Sequence, residues 1–155
     1  MIEKEELTSI LPHQGRMLLL SRIKEYNLEE RFLRAEYDIT EDCLFYDPVI
    51  KGVPAWVSFE FLAQAIAAIS GLASIKKGEK PKMGFILSVS SMKMDIPFFS
   101  IGTTVELTVT VTGSMDQVFN FDAEVCLEGR KLVRSKLTVM EAEEEQIKLL
   151  IKGNN

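Results

Sequence analysis

The segment from residue 56 to about residue 77 constrains this chain more than any other. Its apolar residues Phe59, Leu62, Ile66, Ile69 and Ala73 recur at helical spacing. Ala63, Ala67, Ala68 and Gly71 are small enough to let a neighbouring backbone approach closely. Pro54 suits the first turn of such a helix, where the N–H it lacks has no partner anyway. At the other end Lys76 and Lys77 complement the negative end of the dipole, and Gly78 is placed to cap it. The most apolar run, 61–75, is interrupted by Gln64, Ser70, Gly71 and Ser74 and is shorter than the roughly 20 residues that cross a bilayer, so a core helix is expected.

Most of the remaining chain has the period of two that strands require. Residues 17–26 and 31–39 form an expected strand pair with a turn at 27–30. In the second strand Phe32, Arg34, Glu36 and Asp38 alternate with Leu33, Ala35 and Tyr37. Four more strands are expected at 84–94, 103–112, 118–127 and 131–141, with Glu128-Gly129 closing a hairpin and Pro97 and Gly102 breaking the chain. Residues 2–11 read as a short helix that stops before Pro12, and 41–53 as irregular. The tail, 143–155, forms a short amphipathic helix through Ile147, Leu150 and Ile151, or frays. The sum is an α+β plan, an antiparallel sheet wrapped around one long central helix, as a single domain over 1–142.

Composition narrows the function. Eighteen Lys and Arg against 23 Asp and Glu give a net charge of −5, which disfavours a nucleic-acid partner. With 46% hydrophobic and 26% charged residues, the chain matches ordinary globular proteins rather than disordered or disulfide-scaffolded ones. The first residues carry acids and no continuous apolar stretch, so no secretory signal is read and the cytoplasm is the expected compartment, with no membrane partner. Cys43 and Cys126 lack metal-ligand spacing and are expected as buried or half-buried thiols. No metal and no cofactor are expected.

Three residues could carry proton chemistry. Glu60 lies inside the apolar helix beside Phe59, Phe61 and Leu62, with Gln64 one turn later on the same face. A carboxyl buried there must be neutral, hydrogen-bonded or paired, and desolvation suits it to donate a proton. His13 is the only histidine, so any imidazole chemistry uses it. Asp47 sits in the irregular segment, where turn-forming is the default role and a base the alternative. There is no Ser-His-Asp pattern, Gly-rich phosphate loop or metal cluster.

The opening Leu11-Pro12-His13-Gln14-Gly15-Arg16-Met17-Leu18-Leu19-Leu20-Ser21-Arg22 and the helix motif Glu60-Phe61-Leu62-Ala63-Gln64-Ala65 resemble the hotdog-fold 3-hydroxyacyl-acyl-carrier-protein dehydratases of the FabA/FabZ type. The resemblance covers about residues 10–139. The combination of 12–20 with 52–68 is closer still to the dehydratase-like proteins of aryl-polyene clusters. It implies a hotdog fold and loss of water from a 3-hydroxyacyl thioester carried on the phosphopantetheine of an acyl carrier protein. Glu60 matches the acid, and the N–H groups of Ala55 and Trp56 match the donors to the thioester carbonyl. Tyr46, Pro54, Ala55, Trp56 and Gln64 fall on substrate-binding positions.

One departure concerns the base. The family places a His fourteen residues before the helix carboxylate, and here that position is Tyr46, followed by Asp47 and Pro48. A phenol, mostly protonated at neutral pH, is a poor base for a C2 proton. Asp47 or His13 are the replacements on offer; without one, the chain is a non-catalytic subunit of a mixed dimer. A thioesterase using Glu60 or Asp47 to activate water is a further alternative. The resemblance also implies at least a dimer. Lys76, Lys77, Lys80 and Lys82, or Arg130, Lys131, Arg134 and Lys136, are candidate docking patches for an acidic carrier protein.

Overall fold

The computed structural model describes residues 1–153. The chain opens with β1 (Ile2–Glu3) and α1 (Lys4–Leu7), then runs through an extended segment to β2 (Arg22–Asn27) and β3 (Phe32–Asp38). A loop leads to β4 (Gly52–Pro54) and a 3-10 turn, Ala55–Val57, that opens the long helix α2 (Ser58–Lys77). After α2 come β5 (Met83–Met94), β6 (Phe98–Ser100), β7 (Thr104–Met115), β8 (Val118–Leu127), β9 (Arg130–Ala142) and α3 (Glu144–Gly153).

Seven strands form one antiparallel sheet in the order β1-β2-β3-β7-β8-β9-β5, and β4 pairs with β6 in a separate small ladder. The β8–β9 turn is the expected one: Glu128 and Gly129 both have positive φ, 49° and 80°, as a two-residue primed turn needs. Alternate residues of β3, β7, β8 and β9 point inward onto α2. The core they share includes Leu33, Leu107, Val109 and Val125 from the sheet and Phe61, Leu62 and Ile69 from the helix. Tyr37 packs on Phe61 with ring centroids 4.9 Å apart, and Phe99 closes in from the other side at 6.2 Å.

The helix ends as expected. Gly78 takes a left-handed φ of 69°, its N–H bonds Ile75 O, and Glu79 N–H bonds Ser74 O. Counted from Ala55, the stretch Ala55–Lys77 is long and apolar enough to cross a bilayer, a correction to the shorter run read from sequence, but 67% of its most apolar window is buried inside the protein.

Three segments differ from the sequence expectation. The helix read at 2–11 is a two-residue strand and one helical turn, because Ile2 pairs with Ile23 on the sheet edge and the Thr8 and Ser9 hydroxyls bond the carbonyls of Glu5 and Glu6. Residues 17–21 are no strand; Leu18, Leu19 and Leu20 are buried, but along α2 instead of in the ladder. The β4–β6 ladder has no sequence counterpart: Gly52 is needed there, since a Cβ would lie 2.2 Å from the Phe99 carbonyl oxygen. Cys43 is buried and Cys126 half-buried, both as free thiols.

Strand β5 pairs with β9 on one side only. Phe85, Ile86, Leu87 and Val89 are all exposed although successive residues point to opposite faces, so a stretch of β5 is bare on both faces as well as at its edge.

Candidate active site

A groove of about 170 Å³ runs along α2 beneath the uncovered strand. Glu60, Ala63, Ala67 and Ser70 recur every three or four residues on one helix face and form its floor. Gly84 and Ile86 of β5 and Val139 and Glu141 of β9 form one wall, and His13 forms another. Glu60 and His13 therefore share one cleft while lying far apart in sequence. No hydrogen bond joins them among the described residues, so they face the same space without neutralising each other.

Glu60 is half-buried, not enclosed as its apolar neighbours suggest, because the groove is open along β5. Its carboxylate has no hydrogen-bond or ion-pair partner among the described residues. His13 is also half-buried, and its Nδ1 is a buried atom with no partner. An unpaired carboxylate thus opens on the cleft that the His13 side chain also lines.

Other residues named from the sequence have different surroundings. Gln64 lines the groove, but its amide is taken up by backbone: Oε1 accepts from Leu19 N–H at 2.7 Å and Nε2 donates to Met17 O at 2.8 Å. Asp47 forms a turn, its Oδ1 accepting from Val49 N–H at 2.9 Å while its backbone pairs with Gly52. Tyr46 packs against the core cluster, and neither it nor Asp47 lines the groove of Glu60 in this protomer. Pro54 belongs to β4, and the Ala55 N–H donates to Pro97 O at 3.0 Å, which removes it as a free donor to a carbonyl. Trp56 is exposed at the helix entrance, edge-on to Phe45 with centroids 6.0 Å apart.

The far end of the groove carries Ser70 and Glu141, which sequence reasoning missed, and Lys82, which it placed only in a candidate docking patch. Glu141 is buried and pairs with Arg31 at 3.3 Å. The alternation of β9 held the signal, since it puts Glu141 on the inward side with Val133, Leu137 and Val139.

The ApeP-like family, described as ApeP dehydratase, matches residues 5–150. The chain belongs to the ApeP-like dehydratase family. Among curated proteins it is similar to the 3-hydroxyacyl-[acyl-carrier-protein] dehydratase FabZ of Erythrobacter litoralis, 27% identical over 142 residues, which cover 90% of this chain and 92% of that protein. The FabZ of a Bradyrhizobium species is 25% identical over 137 residues, 83% of this chain and 84% of that one. Among solved structures, a chain of the dehydratase heterocomplex ApeI:P from Xenorhabdus doucetiae superposes with a TM-score of 0.84 at 21% identity, covering 94% of this chain and 96% of that one. A hypothetical thioesterase with coenzyme A from Streptococcus pneumoniae gives 0.60 at 10% identity, covering 79% and 85%. These likenesses show the hotdog fold, which the ApeP-like chain builds from its curled sheet and α2.

Proposed function

We propose that this chain dehydrates 3-hydroxyacyl groups on an acyl carrier protein to trans-2-enoyl thioesters. The observation that carries the proposal is the unpaired Glu60 carboxyl on the central helix, opening into a groove that it shares with His13. In this reaction a base removes the proton on C2, an acid protonates the departing hydroxyl, and donors at a helix N-terminus hold the negative charge that gathers on the thioester carbonyl. Glu60 is the acid. His13 is the base within this protomer, since Asp47 is outside the groove. Of the two N–H groups at the family's donor position, that of Ala55 is engaged by Pro97 O, which leaves that of Trp56, outside the lining of this protomer's groove. The family match favours the polyene branch of such chemistry, and the two free thiols fit a reducing, cytoplasmic setting.

A second reading is favoured by Tyr46 and by the bare β5. The groove is incomplete along that strand, and a second hotdog protomer pairing there would cover it and bring its own base to Glu60. The similar fold of an ApeI:P heterocomplex chain supports a mixed dimer as the working unit. The test uses a 3-hydroxyacyl carrier-protein substrate with the chain alone and with a related dehydratase. Enoyl product from the chain alone supports His13 as base; product only with the second dehydratase supports the mixed dimer. Free thiol without enoyl product would overturn both in favour of a thioesterase.

A further inference from the structure

We infer that Gln64 is a positioning residue: by bonding the backbone just beyond His13, it holds the imidazole in the groove of Glu60. The inference rests on the groove being the reaction site, but its first measurement does not.

The chain from Ile10 to Leu19 is fastened to α2 at two places. At one, Gly71 admits the Ile10 carbonyl, which lies 2.3 Å from where a Cβ would be. At the other, the Gln64 amide takes both Leu19 N–H and Met17 O. Gly71 and Gln64 are seven residues apart, about 10.5 Å along the helix axis. His13 falls between the fastenings. Its Nδ1 has no partner, so that nitrogen does nothing to hold the ring, and its flanks set its place. Arg16 adds a tie by donating to Asp42 O at 3.0 Å and Cys43 O at 3.3 Å, but toward the loop and not toward the helix of Glu60. Gln64 alone joins the flank beyond His13 to α2 by side-chain hydrogen bonds among the described residues, one turn from Glu60. Both polar atoms of its amide are committed there, so it serves the site through His13 and not by touching substrate.

The test uses the single histidine, whose ring signal in a proton–carbon NMR spectrum is unambiguous. Gln64→Met keeps the length and removes both bonds. The expected result is a folded protein by circular dichroism in which the ring loses its nuclear Overhauser contacts to α2. Dehydration should fall by about tenfold to a hundredfold in kcat, with KM changed by less than about twofold. Gln64→Glu keeps the test available if the Met variant fails to fold. A protonated carboxyl donates to Met17 O and accepts from Leu19 N–H as the amide does, whereas the ionised form repels Met17 O. The folded site therefore holds that proton, and the native ring position should be present at acid pH and lost as pH rises, with activity relative to the parent falling in step. Unchanged ring contacts in folded Gln64→Met, or pH-independent contacts in Gln64→Glu, would overturn the inference. A displaced ring with undiminished dehydration supports the positioning and counts instead against the proposed role of His13.

Discussion

Arg31 meets Glu141 at 3.3 Å although β7 and β8 lie between their strands. The sheet curls far enough around α2 to bring the start of β3 to the end of β9, and the Arg31 guanidinium also lies 3.9 Å over the Phe119 ring. Removing the guanidinium leaves a buried carboxylate unpaired. Arg31→Ala should therefore cost about 1–3 kcal/mol, and Glu141→Gln, which retains an acceptor, clearly less. Denaturant midpoints at constant slope would show it, and equal costs would contradict the clasp.

The proposed role of Glu60 predicts that catalysis and stability separate there. Because its carboxylate has no partner among the described residues, Glu60→Gln should change the unfolding free energy by less than about 0.5 kcal/mol. Dehydration by the complete dimer should nevertheless fall by about a hundredfold or more. Full activity in the variant would rule Glu60 out as the acid.

Acid sensitivity should arise at the other edge of the sheet. The Arg22 guanidinium, 2.5 Å from Asp38, holds that carboxyl below the usual carboxylate range, and the Thr104 hydroxyl adds to the effect. A carboxyl lowered in the folded state stabilises above its unfolded pKa, about 3.9, and loses that contribution as pH falls through the folded value. Asp38 is partly exposed, so Asp38→Asn should cost only about 0.5–1 kcal/mol at neutral pH. It should also flatten the decline of stability below about pH 4, measured by denaturation at stepped pH.

Gly71 leaves no room for a side chain. Gly71→Ala places a methyl 2.3 Å from the Ile10 carbonyl oxygen, and the backbone there must move. A loss of about 1–3 kcal/mol is expected, with the melting temperature as the measure. An unchanged melting temperature would mean that Ile10 is not seated against the helix.

The strands β7, β8 and β9 were legible because alternation is a local signal and each of them has one face on the helix. The β8–β9 turn was legible because few residue pairs accept two positive φ values. Leu18 to Leu20 misled for the opposite reason: their apolar run reads as a strand, but Leu19 N–H pairs with Gln64, 45 residues away, and no local pattern marks that partner. Gln64 itself was recognisable as a polar residue on the face of Glu60, but whether its amide turns to a ligand or to the backbone is decided by tertiary packing. Asp47 followed the ordinary habit of its residue type in a loop, and the Ala55 N–H was diverted by a short ladder to β6 that three-residue strands do not announce.

The exposed side of β5 has a cost for the isolated chain. Its free backbone groups and bare apolar residues will pair with any strand that fits, including the same strand of another copy in the wrong register. On the proposed mixed dimer, synthesis of this protein alone should thus give precipitate or mixed oligomers, and co-synthesis with a related dehydratase should keep it soluble.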